Sequence, residues 1–184
     1  VITAEYQARA AQFHDITEQM PLLYNAACLQ DARVIELGVR TGNSTAAFLA
    51  AAAAWDGEVW SVDVAEPQVP ESWRSLACWH LLVADDRTKE AISFCPDDAD
   101  VLFIDTSHSY EHTLAELRLY VPKVRPGGTV LLHDTKTEGT RFYPLGWPGV
   151  SRALNDWSAE TGVSWRHVPG GPDSPGLGII EVPA

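Results

Sequence analysis

Short apolar runs that end in acids or open onto a glycine loop alternate with helix-forming stretches through most of this chain, and that alternation restricts its fold more than any other feature. Arg33–Leu37 (RVIEL) leads into Gly38-Val39-Arg40-Thr41-Gly42-Asn43-Ser44 and then into Thr45–Trp55, an alanine-rich stretch of high helix propensity. Glu58–Val64 (EVWSVDV) stops at Asp63 before a proline-rich loop. Trp79–Val83 closes on Ala84-Asp85-Asp86, and a helix with an acidic cap is expected over Arg87–Phe94. A fourth strand, Asp100–Ile104, runs into Asp105-Thr106-Ser107-His108, with a helix expected over Tyr110–Tyr120. Pro122 and a turn at Pro126-Gly127-Gly128 stop that helix, and Thr129–Leu132 forms a fifth strand ending at His133-Asp134. Such alternation demands right-handed crossovers and a parallel sheet covered on both faces.

The flanks complete the expectation. Residues 4–30, broken at Pro21, read as one or two covering helices. Beyond the fifth strand come a long loop, a helix near Val150–Glu160, and two strands, Val163–Val168 and Leu177–Val182, whose Gly-Pro connection favours an antiparallel hairpin at the sheet edge. The expected fold is α/β, a Rossmann-like doubly wound, mostly parallel seven-stranded sheet with a C-terminal antiparallel hairpin and helices on both faces. At 184 residues and 46% hydrophobic content the chain suits a single domain with a sizeable core.

Charge and cysteines narrow the partners. A net charge of -12 opposes binding to phosphate backbones or anionic membranes, so neither nucleic acid nor membrane is expected as a partner. Cys28, Cys78 and Cys95 have the spacing of neither a disulfide framework nor a zinc knuckle, and a reducing cytoplasm is the simplest setting. The longest apolar run, residues 46–55, is about half of the ~20 residues a membrane span needs. No charged-then-apolar leader pattern opens the chain, and valine at position 1 leaves an upstream segment open.

In open parallel sheets, ligands sit outside the carboxyl ends of the strands where the strand order reverses, and every cluster above falls on that edge. The glycines of GVRTGNS let backbone approach a ligand, and the helix after Gly42 points free N–H groups into the crevice. The loop's spacing departs from G-x-G-x-x-G, which argues against a nicotinamide dinucleotide and a dehydrogenase. Asp63 stands where a carboxylate can accept both hydroxyls of a ribose, or where a strand-end acid is simply solvated.

Glu36 to Thr45, Asp63, Ala84-Asp85, Leu102 to Asp105 with His108-Ser109-Tyr110, Arg125 to Gly128, and His133-Asp134 together resemble class I S-adenosylmethionine-dependent methyltransferases. Within them the chain is similar to the small group that includes cephalosporin hydroxylase-like and macrolide sugar O-methyltransferases, over about residues 32–135. The resemblance implies a helical cover over 1–30, a cofactor-binding core over 31–135, and a substrate loop, helix and edge hairpin over 136–184. It implies that Glu36, Gly38, Arg40, Thr41, Gly42 and Ser44 hold the methionine part of S-adenosylmethionine, that Asp63 grips its ribose, and that Asp85 lies near the adenine amine, with Asp105 also beside the cofactor. Asp105 and Asp134 match positions where relatives ligate a divalent cation, commonly magnesium. His133 departs from the family, which places a carboxylate there; a nitrogen donor weakens the case for magnesium and leaves manganese, another transition metal or none open. His108 matches the general base, and imidazole suits proton transfer near neutral pH. The implied acceptor is a hydroxyl of a small molecule, a sugar or natural product.

Other readings of the same residues stay open in the sequence. His108 can be a helix cap, Asp105 a partner of a backbone turn, and His112 a helix-face residue. His108-Ser109-Tyr110-Glu111-His112 also fits H-x-x-E-H, in which two histidines on one helix face bind zinc. A nonenzymatic module that binds a nucleotide or S-adenosyl compound is a third reading, because fold alone does not fix function. Phe142, Tyr143, Leu145 and Trp147 read either as a pocket wall or lid, or as core packing.

Overall fold

A computed structural model describes residues 2–136 and 148–184 of the chain. Among them, β1 (Arg33–Leu37), β2 (Glu58–Asp63), β3 (Trp79–Val83), β4 (Ala99–Ile104), β5 (Val124–His133), β6 (Trp165–Val168) and β7 (Leu177–Glu181) form one sheet. Its order is β3-β2-β1-β4-β5-β7-β6. The first five strands pair in parallel, and β7 pairs antiparallel with both β5 and β6. The order reverses between β1 and β4: the chain winds outward from β1 to β3, then returns to build the other half from β4. That reversal opens a crevice past Leu37 and Ile104, which are partners in register.

Successive residues of the central strands face opposite layers. Val34, Val101 and Phe103 pack against α1 (Ile2–Ala10), α2 (Met20–Ala26) and α3 (Asn43–Trp55), with Phe48 edge-on to Phe103 at 5.6 Å. Ile35, Leu37 and Leu102 pack against α4 (Lys89–Phe94), α5 (Tyr110–Tyr120) and α6 (Pro148–Thr161), through Ala91, Leu117, Leu154 and Trp157. Continuous apolar runs are what a strand covered on both faces requires, and the alanines of α3 let that helix lie close to the sheet.

Local chemistry adjusted several expected boundaries. Pro21 starts α2 instead of breaking a helix, since a missing N–H costs nothing in the first turn. α4 is capped by Thr88, whose hydroxyl accepts from the Ala91 N–H, and not by an acidic residue. β5 begins at Val124, not after the glycines. Val124 pairs with Ala99 and the register then shifts, so Pro126-Gly127-Gly128 is a bulge inside a strand; Gly127 and Gly128 remain hydrogen-bonded to Val182. The proline-rich stretch after β2 contains a 3-10 turn, Glu71–Ser75, that delivers Trp73 into the core.

Candidate active site

The crevice depends on one close approach. Gly38 has φ +88°, and a Cβ there would collide with the carbonyl oxygen of Asp105, so only glycine lets the loop after β1 lie against the end of β4. The Asp105 N–H donates to the Leu37 carbonyl at 2.9 Å and fixes the contact. A cavity of about 460 Å³ opens beside it, walled by the ends of β1, β2, β3 and β4. A recess of about 70 Å³ adjoins it, reaching Asp15, Ser44 and His108. The two share Gly38, Val39, Arg40, Asp105 and Thr106 and form one cleft with a wide and a narrow end.

Most of the residues singled out by the sequence line this cleft. Asp63 faces the wide end and locks the glycine loop, its Oδ2 accepting from Val39 N (2.8 Å) and Arg40 N (2.9 Å). Asp85 lies on the same wall, but its carboxylate is gripped by the Arg87 guanidinium at 2.7 and 3.0 Å, which holds it well below the usual carboxylate range. Arg40 and Thr41 border the narrow end, where Arg40 pairs with Asp15 at 3.5 Å and the Thr41 carbonyl accepts from Arg9 at 2.8 Å. Gly42, at φ +77°, precedes the first turn of α3 and packs under Val69 and Trp73. Ser44 lines the recess, with its hydroxyl donated to Glu36 at 2.7 Å.

Glu36 stands apart from the residues that line the cleft. It borders neither end of the cleft; it is fully buried behind the glycine loop and accepts from Ser44, Thr45 and Ser61. With hydroxyl partners and no cation, burial outweighs those bonds and pushes its carboxyl up to about 7. Its place in the sequence, one residue before the strand end, turns its side chain to the α3 face of the sheet and away from the crevice.

At the narrow end, β4 delivers Asp105 and β5 delivers His133-Asp134. His108 hangs from the loop before α5 in a left-handed conformation, φ +56°. Its Nε2 lies 3.1 Å from Asp105 Oδ1 and 2.8 Å from Asp134 Oδ2. His133 Nδ1 approaches the same carboxylates at 3.4 and 3.1 Å from the buried side. Burial works against the charged forms of all four, yet the pairing prevails: both carboxyls are held low and both imidazoles high, His108 at about 9. Asp134 Oδ1 is buried without a hydrogen-bond partner. Among the described residues, Asp105, His108 and Asp134 have donor atoms within 4.8 Å of one another, a set able to hold a cation. His108 thus enters the group in which the sequence placed His133, because the β5 strand turns the His133 ring into the interior, 2% exposed.

A second set escaped the sequence reading. His112 and Glu116, four apart on α5, converge with Asp86 from the turn after β3. The sequence signal was the i, i+4 pair behind a double-aspartate strand end, which reads equally as a solvated helix face. The two histidines of the H-x-x-E-H pattern therefore separate: His108 lies before the helix against Asp105 and Asp134, and His112 lies on it against Asp86. Helix capping is done by Ser109, whose hydroxyl accepts from His112 N. Phe142, Tyr143, Leu145 and Trp147 fall outside the described residues. The three cysteines are free, and no described helix is long and apolar enough to cross a membrane.

Comparison with known proteins agrees with this fold. An uncharacterized protein of Sinorhizobium fredii is 28% identical over 129 residues, a stretch covering 62% of this chain and only 14% of that relative. The cofactor-bound structure of Rv0187 from MTB superimposes with a TM-score of 0.70 at 16% identity, over 98% of this chain and 89% of that one. The MycE methyltransferase of the mycinamycin biosynthetic pathway, solved with Mg, SAH and mycinamycin VI, gives 0.64 at 17% identity, over 100% of this chain and 54% of that one. These likenesses establish the fold. Residues 35–135, which hold the glycine loop, the strand-end acids and His108, match the methyltransferase domain family, and the chain belongs to it.

Proposed function

We propose that this chain transfers the methyl group of S-adenosylmethionine to a hydroxyl oxygen of a small molecule, with a sugar or natural-product hydroxyl as the acceptor class. One observation carries the reading: the wide and narrow ends of the cleft share Gly38, Val39, Arg40, Asp105 and Thr106, so a molecule bound along the glycine loop meets Asp105 and His108 at its far end. The wide end suits a nucleoside, with Asp63 toward a ribose and Asp85 toward a purine amine. The acidic lining favours a cofactor that carries a cationic sulfonium, the group that makes the methyl electrophilic. MycE, solved with mycinamycin VI, is in keeping with a small-molecule acceptor.

Methyl transfer is an in-line displacement, so alignment of the acceptor oxygen and timely removal of its proton supply much of the rate. Asp105 comes off a buried strand and is rigidly placed for the first task. Asp105 and Asp134, with the orphaned Asp134 oxygen, would hold a divalent cation. Such an ion would orient the acceptor oxygen and take over the neutralisation of the two carboxylates that the His108 imidazolium now provides. A nitrogen donor beside them, His133 Nδ1 at 3.4 and 3.1 Å from the same carboxylates, would favour manganese or a related transition ion over magnesium. His108, freed from the carboxylates as neutral imidazole, then takes the acceptor proton.

The test is binding followed by turnover. S-adenosylhomocysteine should raise the melting temperature through binding linkage, and NAD should not. A mass-spectrometric screen of hydroxylated metabolites with isotope-labelled cofactor should then find a product heavier by the labelled methyl. Calorimetry showing no binding of either S-adenosyl compound at millimolar concentration overturns the reading. Binding without turnover on any hydroxyl acceptor supports a nonenzymatic binding module instead.

A further inference from the structure

We propose that Asp86, His112 and Glu116 form a second divalent-cation site, for an ion of the zinc, manganese and cobalt class, in the wall at the wide end of the cleft. The three donors come from two rigid elements. His112 and Glu116 share one face of α5, and Asp86 follows β3, so the set is assembled by the fold itself. His112 Nε2 stands 2.9 Å from Asp86 Oδ1 and 3.6 Å from Glu116 Oε1. Ligands on a tetrahedral ion with bonds of about 2.1 Å lie about 3.4 Å apart, and the observed separations bracket that edge.

Independent of spacing, the group has an unmet need. Glu116 is 0% exposed; its Oε1 accepts from the Thr106 hydroxyl at 2.7 Å, but its Oε2 is buried with no donor. The carboxyl faces that of Asp86, so two acids meet over a single imidazole. As a carboxylate, Glu116 would leave that oxygen buried without a donor, and a cation shared with Asp86 would satisfy it. Surrounding bonds orient the donors as an outer shell does at metal sites: Thr106 holds Glu116, and the Tyr120 hydroxyl donates to the Asp86 carbonyl at 2.5 Å. Asp86 and His112 line the cavity while Glu116 lies behind them, which leaves an open coordination position facing the cleft. One nitrogen and two carboxylate donors select an ion of borderline softness over calcium or magnesium.

The site is separate from the Asp105, His108 and Asp134 set and does not depend on the proposed methyl transfer. The experiment is a Co²⁺ titration of chelator-stripped protein, followed by visible absorption and by calorimetry, with Zn²⁺ competition. His112→Ala should lower the bound Co²⁺ by one equivalent, and Asp134→Asn should leave that equivalent in place. Glu116→Gln, which keeps the volume of the buried side chain, should weaken the same equivalent at least tenfold. Far-ultraviolet circular dichroism and the urea unfolding midpoint report whether each variant is folded. Unchanged Co²⁺ stoichiometry and affinity in folded His112→Ala, or in folded Glu116→Gln, overturns the proposal; so does wild-type protein whose entire Co²⁺ uptake is lost in folded Asp134→Asn.

Discussion

Two carboxylate–imidazole groups stand on the same sheet edge and are built in opposite ways. The one at the narrow end hangs from strand ends and a loop, and two of its members, His108 at φ +56° and Asp134 at φ +59°, hold left-handed backbone conformations that cost side-chain-bearing residues energy. The one at the wide end takes two of its three donors from a regular helix face. Their charge balance differs as well. At the narrow end two imidazoles face two carboxylates and both acids are held low; at the wide end one imidazole faces two, and burial together with Asp86 pushes Glu116 well above the usual carboxylate range. Strain is concentrated where proton transfer is proposed, and regular backbone where a fixed wall is needed.

The comparison is broken most severely at Asp134. If this end orients the acceptor through a cation, exhaustive chelation and Asp134→Asn should each reduce turnover below detection, on the order of 10³-fold or more, while S-adenosylhomocysteine binding is largely kept. Full activity in chelator would assign Asp105 and Asp134 to direct contacts with the substrate or with His108 alone. His133→Glu sharpens the point. It would supply the oxygen that the resemblance implies there, and magnesium should then activate at lower concentration than in the wild type.

Next in size is His108→Ala, which should lower kcat by roughly 10²-fold, the range for loss of a general base. The dissociation constant of S-adenosylmethionine should change little, because the imidazole borders the narrow recess and not the wide cavity. A fall in cofactor affinity equal to the fall in kcat would make His108 a structural clasp between β4 and β5.

How much of this was legible in the sequence varies with the physics that placed each part. The alternation of runs such as RVIEL and VLFI with helical stretches placed β1 to β4, α3 and α5 to within a residue or two, because strands covered on both faces leave an apolar signature. The PGG bulge in β5 was misread as a turn, since local propensity cannot see that both glycines are paired with Val182 across the sheet. At the site, Asp63, Asp105, His108 and Asp134 were legible as strand-end residues. Glu36 was legible as part of the glycine-loop motif, but not its burial behind the loop, which the pleat and three hydroxyl partners set. The Asp86, His112 and Glu116 set was invisible because its members are joined only by the packing of α5 against the turn after β3.

Asp63 tests the wide end. Asp63→Ala removes a carboxylate that faces the cavity and accepts from two N–H groups of the glycine loop, so S-adenosylhomocysteine affinity should fall about tenfold or more. Asp63→Asn should fall less, since one acceptor oxygen remains. Unchanged affinity in the alanine variant would mean that the ribose contact is made elsewhere on this wall.

The smallest effect on the cleft belongs to Glu36, whose consequence lies in stability. Asp105 and Asp134 meet imidazoles and are held low; Glu36 meets only hydroxyls, and its pKa rises from the ordinary value to about 7. The folded protein therefore keeps this proton where the unfolded chain has already lost it. Stability is greatest below the unfolded value, falls as pH rises through the window from about 4.5 to 7, and is level above it. At about 1.4 kcal/mol per unit the whole window is worth at most about 3.5 kcal/mol, and rotation of the three hydroxyls toward the ionised form will reduce it. Glu36→Gln copies the shape of the neutral acid and cannot ionise. Urea midpoints at pH 5 and pH 8 should show the wild type losing stability relative to the variant by roughly 1 to 3 kcal/mol across that interval, with cofactor affinity changed less than in Asp63→Ala. Parallel stability profiles would show that Glu36 is ionised in the fold already, and that hydroxyl donors alone can hold a buried carboxylate as firmly as the imidazoles hold Asp105.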